Sequence, residues 1–251
     1  MKSLLRSITP GPIWNAAGAT KRRFTTPSKR SFAANGEDLL VVGWLRHYQC
    51  DLSRIRYIDV GANHPIFLSN TFMLYEAGAS GVLIEPDPRQ AELLRAKRPR
   101  DVVVNAGVAF DHQRSATLFQ MTSNGFNTFS RTQADFVVKS SRNWEPHARQ
   151  EIVGEITVPL LPLNEIITKH VQAPAFVSID TEGFDLAILR TLDLGLLSSD
   201  PQIPCFICVE ASAPLVDFTQ ALQPAGFEFV ARTPDNWLFR RHREPLKSPS
   251  E

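Results

Sequence analysis

The stretch Tyr57-Ile58-Asp59-Val60-Gly61-Ala62-Asn63 decides the fold. An apolar run from residue 55 ends in an acid, and the glycine after it lets the backbone turn close to a ligand. In open α/β sheets ligands lie outside the carboxyl ends of the strands, where the strand order switches. Asp59 and Gly61 are therefore expected at a binding edge. The turn lacks GxGxxG, and no second glycine makes room for a pyrophosphate. A nicotinamide or flavin is disfavoured, and a ligand with a ribose but no phosphate suits the turn better.

Outward from this turn, short apolar runs alternate with helix-like segments, the pattern of a doubly wound parallel sheet. Strands are expected over 55–60, 81–85, 102–106, 176–180 and 204–210, with helices over 70–77, 88–98, 185–192 and 215–222. Pro88 suits the first turn of its helix. Residues 227–232 and 237–240, around Thr233-Pro234-Asp235-Asn236, read as an antiparallel hairpin closing one sheet edge. Residues 111–155 hold a strand over 116–121 but otherwise read as a long, weakly structured insertion, a lid or a loop. One domain is expected, without internal repeats.

The charge total hides a split. The chain carries 27 basic and 26 acidic residues, a net of +1. Seven of the basic ones fall within residues 1–36, which contain no acid, so the remaining 20 face 26 acidic residues. A basic arm over 1–30, expected to be disordered, thus precedes an acidic body. That body argues against a nucleic-acid surface, which needs clustered Lys and Arg. No apolar run reaches the roughly 18–20 residues of a membrane span. A cytoplasmic protein is expected; the alternative is an organellar one, with the arm as a transit peptide. Cys205 and Cys208 have CxxC spacing inside the apolar run 203–209. Residues three apart on a strand point to opposite faces, so these thiols cannot share a metal.

Two further strand ends carry acids. Ile84-Glu85-Pro86-Asp87-Pro88 places Glu85 to hold ribose hydroxyls through charge-assisted hydrogen bonds, while Asp87 caps the next helix. Ile179-Asp180-Thr181-Glu182-Gly183-Phe184-Asp185 sets Asp180 and Glu182 beside a glycine, with more acids than one helix cap needs. Either could accept a proton, bind a cationic centre or hold a metal.

Together, Asp59-Val-Gly-Ala-Asn63, Ile84-Glu-Pro-Asp-Pro88, Ser178-Ile-Asp-Thr-Glu-Gly183 and the closing hairpin from Gly226 through Arg232 and Asn236 resemble an FkbM-type methyltransferase. Residues Ser31 and Asn35-Gly-Glu-Asp38 are similar to a segment that precedes the core in one branch of that family. The resemblance runs from about 31 to 241, leaving 242–251 as a tail. It implies an α/β, Rossmann-like class I methyltransferase fold, with a mostly parallel seven-stranded sheet closed by the antiparallel hairpin. It also implies S-adenosylmethionine as cofactor. Asp59, Gly61 and Asn63 would line its amino-acid end and Glu85 its ribose; Asn105 and Gly107 would lie near the adenine. Asp180 and Glu182 would face the methionine end and the acceptor, a hydroxyl of a sugar, glycoside or natural product.

Such a transfer needs a base for the acceptor hydroxyl, and the candidates are Asp180, Glu182 and His64, in that order. Glu210, ending the run 204–210, faces the acceptor or caps the next segment. No metal ligands are assigned; a divalent metal bridging Asp180, Glu182 and acceptor hydroxyls is the less favoured alternative. Within 111–155, Phe126, Asn127, Phe129, Trp144 and His147 are candidate acceptor contacts. The partner is a small-molecule or glycan acceptor. Two other readings stand beside this one: a cofactor-binding protein without catalysis, and a nicotinamide-dependent oxidoreductase.

Overall fold

The computed structural model describes residues 30–241. The basic arm, Arg30 excepted, and the tail over 242–251 lie outside the described residues. In chain order the main elements are α1 (Glu37–His47), β1 (Arg56–Val60), α2 (Phe72–Glu76), β2 (Ser80–Ile84), α3 (Pro88–Lys97) and β3 (Val102–Val104). Then come β4 (Gly107–Ala109), β5 (Ser115–Met121), α4 (Arg131–Ser141), β6 (Ile152–Pro162), α5 (Leu163–His170) and β7 (Phe176–Ile179). The chain continues through α6 (Asp185–Thr191), β8 (Cys205–Glu210), α7 (Leu215–Leu222), β9 (Glu228–Arg232) and β10 (Asn236–Arg241).

Seven strands form one sheet in the order β3-β2-β1-β7-β8-β10-β9. The first five run parallel. β10 lies antiparallel to both β8 and β9, so the last strand of the hairpin sits inside the first. From β1 the chain moves outward through β2 and β3, then returns to β7 on the other side of β1. The strand order therefore switches between β1 and β7, which opens a crevice at their carboxyl ends.

These runs form buried strands because each of their two faces meets an apolar layer. Side chains alternate along a strand. Ile58 and Val60 join the buried cluster that holds Leu163 and Ile167 of α5, Leu189 of α6 and Phe218 of α7. Tyr57 joins the opposite cluster with Val41 and Leu45 of α1, Leu74 of α2 and Leu94 of α3. Each fully buried aliphatic side chain stabilises such a layer by about 1.5–3 kcal/mol. Cys205 belongs to the first layer and Cys208 to the second, and both are free thiols, as their spacing on a strand requires.

Residues 111–155 differ from the sequence expectation. They are largely regular structure: β5 and β6 pair antiparallel, and β6 also pairs with β4 in a second, three-stranded sheet. Helix α4 packs Ala134 and Val137 against Met121 of β5. The Ser130 hydroxyl caps α4 by accepting from the Gln133 amide at 3.1 Å. The strand expected over 116–121 is β5; burial alternates along β6 too, but too weakly to read as strand from composition. Among the described residues no helix is long and apolar enough to cross a membrane.

Candidate active site

At the end of β1, Asp59 is 4% exposed, and one of its oxygens accepts the Thr71 hydroxyl at 2.6 Å. Thr71 in turn accepts from Arg98 at 3.0 Å. The Arg98 side chain is wholly buried; it donates to Asp101 and to the Tyr57 hydroxyl, each at 2.7 Å. Burial pushes the Asp59 carboxyl above its usual range, against the Thr71 bond and the Arg98 charge, which pull it down. Just beyond, Gly61 has φ +82, and a Cβ there would run into the Asp180 carbonyl oxygen. The turn thus closes only with glycine.

At the end of β2, Glu85 lies across two backbone amides. Asn63 donates to one oxygen at 2.7 Å and Asp87 to the other at 2.8 Å. Burial moves Glu85 up to about 7, although both amides favour its charge. Asp87 caps α3 through the Arg89 amide at 2.9 Å, the role its place before Pro88 gives it. Asn105 is not among the cavity-lining residues; its amide donates to the carbonyls of Glu85 and Pro86 at 2.8 and 3.0 Å and so holds the β2 turn in place. Gly107 does line the cavity, packed so closely that a Cβ would lie 2.7 Å from Leu160 and Phe129.

At the end of β7, buried Asp185 organises the loop. It accepts from the Thr181 amide at 2.9 Å and hydroxyl at 3.1 Å, and from the Ser212 hydroxyl at 2.8 Å. This presents Asp180 and Glu182 to the cavity, Glu182 with the left-handed φ of 53°. Asn63 and Leu68, also left-handed, line the same cavity. Backbone strain of roughly 1–3 kcal/mol per residue gathers where function needs an imposed geometry. Asp180, Glu182 and Glu210 each place an oxygen within 4.8 Å of the others, a set able to hold a divalent cation. Asp180 is exposed at the cavity wall. Desolvation, then the charges of Glu182 and Asp185, push its carboxyl well up. Glu182 rises to about 7 by burial and by repulsion from Asp185 and Asp235. Glu210 is pushed up by burial and by Asp185, and its Oε2 is buried without a partner among the described residues.

These strand ends meet in one cavity of about 690 Å³, with Asp59, Gly61, Asn63, Glu85, Gly107, Asp180, Glu182 and Glu210 all on its wall. Residues Asn124–Phe126 form part of the roof, with Asn127 and Phe129 beside them. The roof is fastened on two sides. Gln120 and Asn127 donate to Asp87 at 2.9 and 3.3 Å, and the Thr128 hydroxyl donates to the Glu182 carbonyl at 3.1 Å. Trp144 and His147 do not line the cavity; Trp144 packs behind Phe126 at 5.9 Å. His64 is not brought there either. Its Nδ1 accepts from the amides of Ile66 and Phe67 at 3.1 and 3.0 Å, so it shapes the loop, and burial lowers its affinity for a proton.

Sequence reasoning missed the supports of this site. Arg98 and Thr71 reach Asp59 from α3 and the start of α2. Glu37, 1% exposed, accepts from the Thr233 hydroxyl at 2.5 Å and the Asn236 amide at 3.0 Å. Asn35 donates to Asp235 at 2.7 Å, so the segment before α1 fixes the hairpin turn at the cavity wall. Partners about 200 residues apart leave no local signal; only the resemblance of residues 31–38 marked that segment.

A sheet of this order, with its antiparallel member inserted at the far side and a cavity over β1, β2 and β7, is the Rossmann-like fold of class I methyltransferases. The model of the methyltransferase FkbM domain matches residues 59–243. The chain belongs to that family. Among solved structures it is similar to an FkbM methyltransferase from Methylobacillus flagellatus, at 16% identity over 75% of this chain and 44% of that one, TM-score 0.43. It is also similar to a TehB-like SAM-dependent methyltransferase from Corynebacterium glutamicum, at 11% identity over 93% and 100% of the two chains, TM-score 0.44. A third is an O-methyltransferase from Bacillus cereus in complex with SAH, at 10% identity over 94% and 93%, TM-score 0.39. No protein of curated function matches the sequence.

Proposed function

We propose that this methyltransferase uses S-adenosylmethionine and methylates a hydroxyl of a sugar, glycoside or natural product. The observation that carries the reading is the shared cavity of the Asp59–Gly61 turn, Glu85, Asp180 and Glu182 at the carboxyl ends of adjacent strands. The residues suit the cofactor. Gly61 lets the β1 turn close against the Asp180 carbonyl at the cavity wall, Asn63 Oδ1 is buried with no partner among the described residues, and the acids on the wall suit a cationic ligand. Asp59, Gly61 and Asn63 would hold its amino-acid end and Glu85 its ribose, with Gly107 beside the base.

When bound, the cofactor supplies an electrophilic methyl group on a sulfonium. The protein's part is to align the acceptor oxygen and to take its proton. Asp180 and Glu182 do the second. Desolvation raises both carboxyls, helped at Asp180 by the charges of Glu182 and Asp185 and at Glu182 by those of Asp185 and Asp235, toward the range where a base can accept a proton.

Calorimetry with S-adenosylhomocysteine and with NAD tests the cofactor. Binding of the first alone is expected, and binding of NAD alone would overturn the proposal. Incubating the protein and labelled S-adenosylmethionine with a cell extract then identifies the acceptor, and label on an amine or carboxylate rather than a hydroxyl would overturn the O-methyl assignment.

A further inference from the structure

Seven carboxylate side chains line the cavity, and no Lys, Arg or His of the described residues does. Two of the acids, Asp59 and Glu85, are bound up with Thr71 and with backbone amides. The others, Asp111, Asp180, Glu182, Glu210 and Asp235, surround the part left for the acceptor. Asp180 and Glu182 accept no side-chain hydrogen bond from any described residue, and Glu210 Oε2 is buried without one. The nearby guanidinium groups are committed elsewhere. Arg98 is held behind β1 by Asp101, Tyr57 and Thr71, and Arg131 of the roof pairs with Asp135 and Glu155. An apolar platform flanks the acids: Phe110 stacks on Phe184 at 5.2 Å, and both rings line the cavity.

An anionic group brought among these carboxylates meets repulsion that no basic side chain on the wall offsets, in a cavity where solvent screens less than at an open surface. A protonated amine meets the opposite: it relieves the repulsion that the acids already feel. A ring with a CH face and hydroxyls fits the platform and the acids together.

We propose that the acceptor bears no phosphate or carboxylate, and that a hydroxyl compound carrying a protonated amine is held most tightly. The specificity-determining residues are Glu182 and Asp235. This rests on the O-methyltransferase reading for the division of the cavity between cofactor and acceptor, but its own content is a charge preference.

The test uses the full chain, with and without S-adenosylhomocysteine, and three probes that share one scaffold: glucosamine, glucose and glucose 6-phosphate. Binding is monitored by ligand-detected NMR at pH 7 and low salt. The expected order is amine, neutral, phosphate, with about tenfold or more between first and last, and added salt should narrow the gap. Glu182→Gln and Asp235→Asn should each compress the order by several-fold. The phosphate binding as well as the amine, none of the three binding, or the order surviving both substitutions unchanged would each overturn the proposal. Binding of S-adenosylhomocysteine is read in the same samples. Its absence with the charge order intact would sink the cofactor assignment and leave the acceptor charge preference standing.

Discussion

The two halves of the cavity handle their acids in opposite ways. On the β1–β2 side every carboxylate is answered: Asp59 by Thr71, with Arg98 behind it, and Glu85 by two backbone amides. On the β7–β8 side Asp180, Glu182 and Glu210 face one another within 4.8 Å, and no described donor reaches the first two. Saturated acids are preorganised to bind, because their geometry is fixed before a ligand arrives. Crowded, unanswered acids are poised to change protonation, because their charged forms have no support. Under the proposed function, one sheet edge would separate holding from reacting by where it supplies hydrogen bonds.

The contrast breaks most sharply at Asp180. Asp180→Asn should lower kcat by about 10²–10⁴-fold, the usual worth of general-base catalysis, and leave S-adenosylhomocysteine affinity within a few-fold. Equal losses of both would place Asp180 on the binding side instead. Next comes Glu85→Ala, which deprives the Asn63 and Asp87 amides of their acceptor. Calorimetry should show cofactor affinity falling about 100-fold, as charge-assisted hydrogen bonds are lost. Unchanged affinity would remove the holding role from β2.

A third measure is pH. Glu85 and Glu182 have folded pKa values near 7, above the 4.5 of the free side chain. For an acid raised on folding, the native state holds more protons between those two values, so stability falls as pH rises through the window. For Glu85 the shift corresponds to about 3 kcal/mol. The unliganded protein should therefore melt at higher temperature at pH 5 than at pH 8, and Glu182→Gln should flatten the slope. Melting temperatures that rise over this range would contradict the raised values. The smallest effect concerns the roof. Thr128→Val removes the hydroxyl that donates to the Glu182 carbonyl and accepts from the Ser130 amide at 3.1 Å. A loss of about 1–2 kcal/mol is expected in chemical denaturation, with faster amide exchange over Asn124–Phe126.

How far the sequence reaches depends on locality. The runs at β1, β2, β7 and β8 were legible because strands buried on both faces are short, apolar and bounded by turn residues. Asp59, Glu85, Asp180 and Glu182 were legible because they end such runs. α4 and β6 were not. Of α4 only Ala134, Val137 and Ser141 are buried, and β6 contains Gly154, Pro159 and exposed alternate positions, so neither pattern rises above that of a loop. Arg98 only ended the helix expected over 88–98, yet it is among the most deeply buried side chains described. What hides it from view is that its partners Tyr57, Thr71 and Asp101 come from three separate segments.

The placement of β10 between β8 and β9 has a consequence for synthesis on the ribosome. Until residues 236–241 have been made, β8 has one unpaired edge, and the hairpin turn that Glu37 and Asn35 grip does not exist. A nascent chain therefore carries an adhesive, apolar strand edge until the last strand emerges. Ribosome stalling or premature termination before residue 236 should yield products that recruit chaperones or aggregate, whereas release after Arg241 lets the sheet and cavity wall close together.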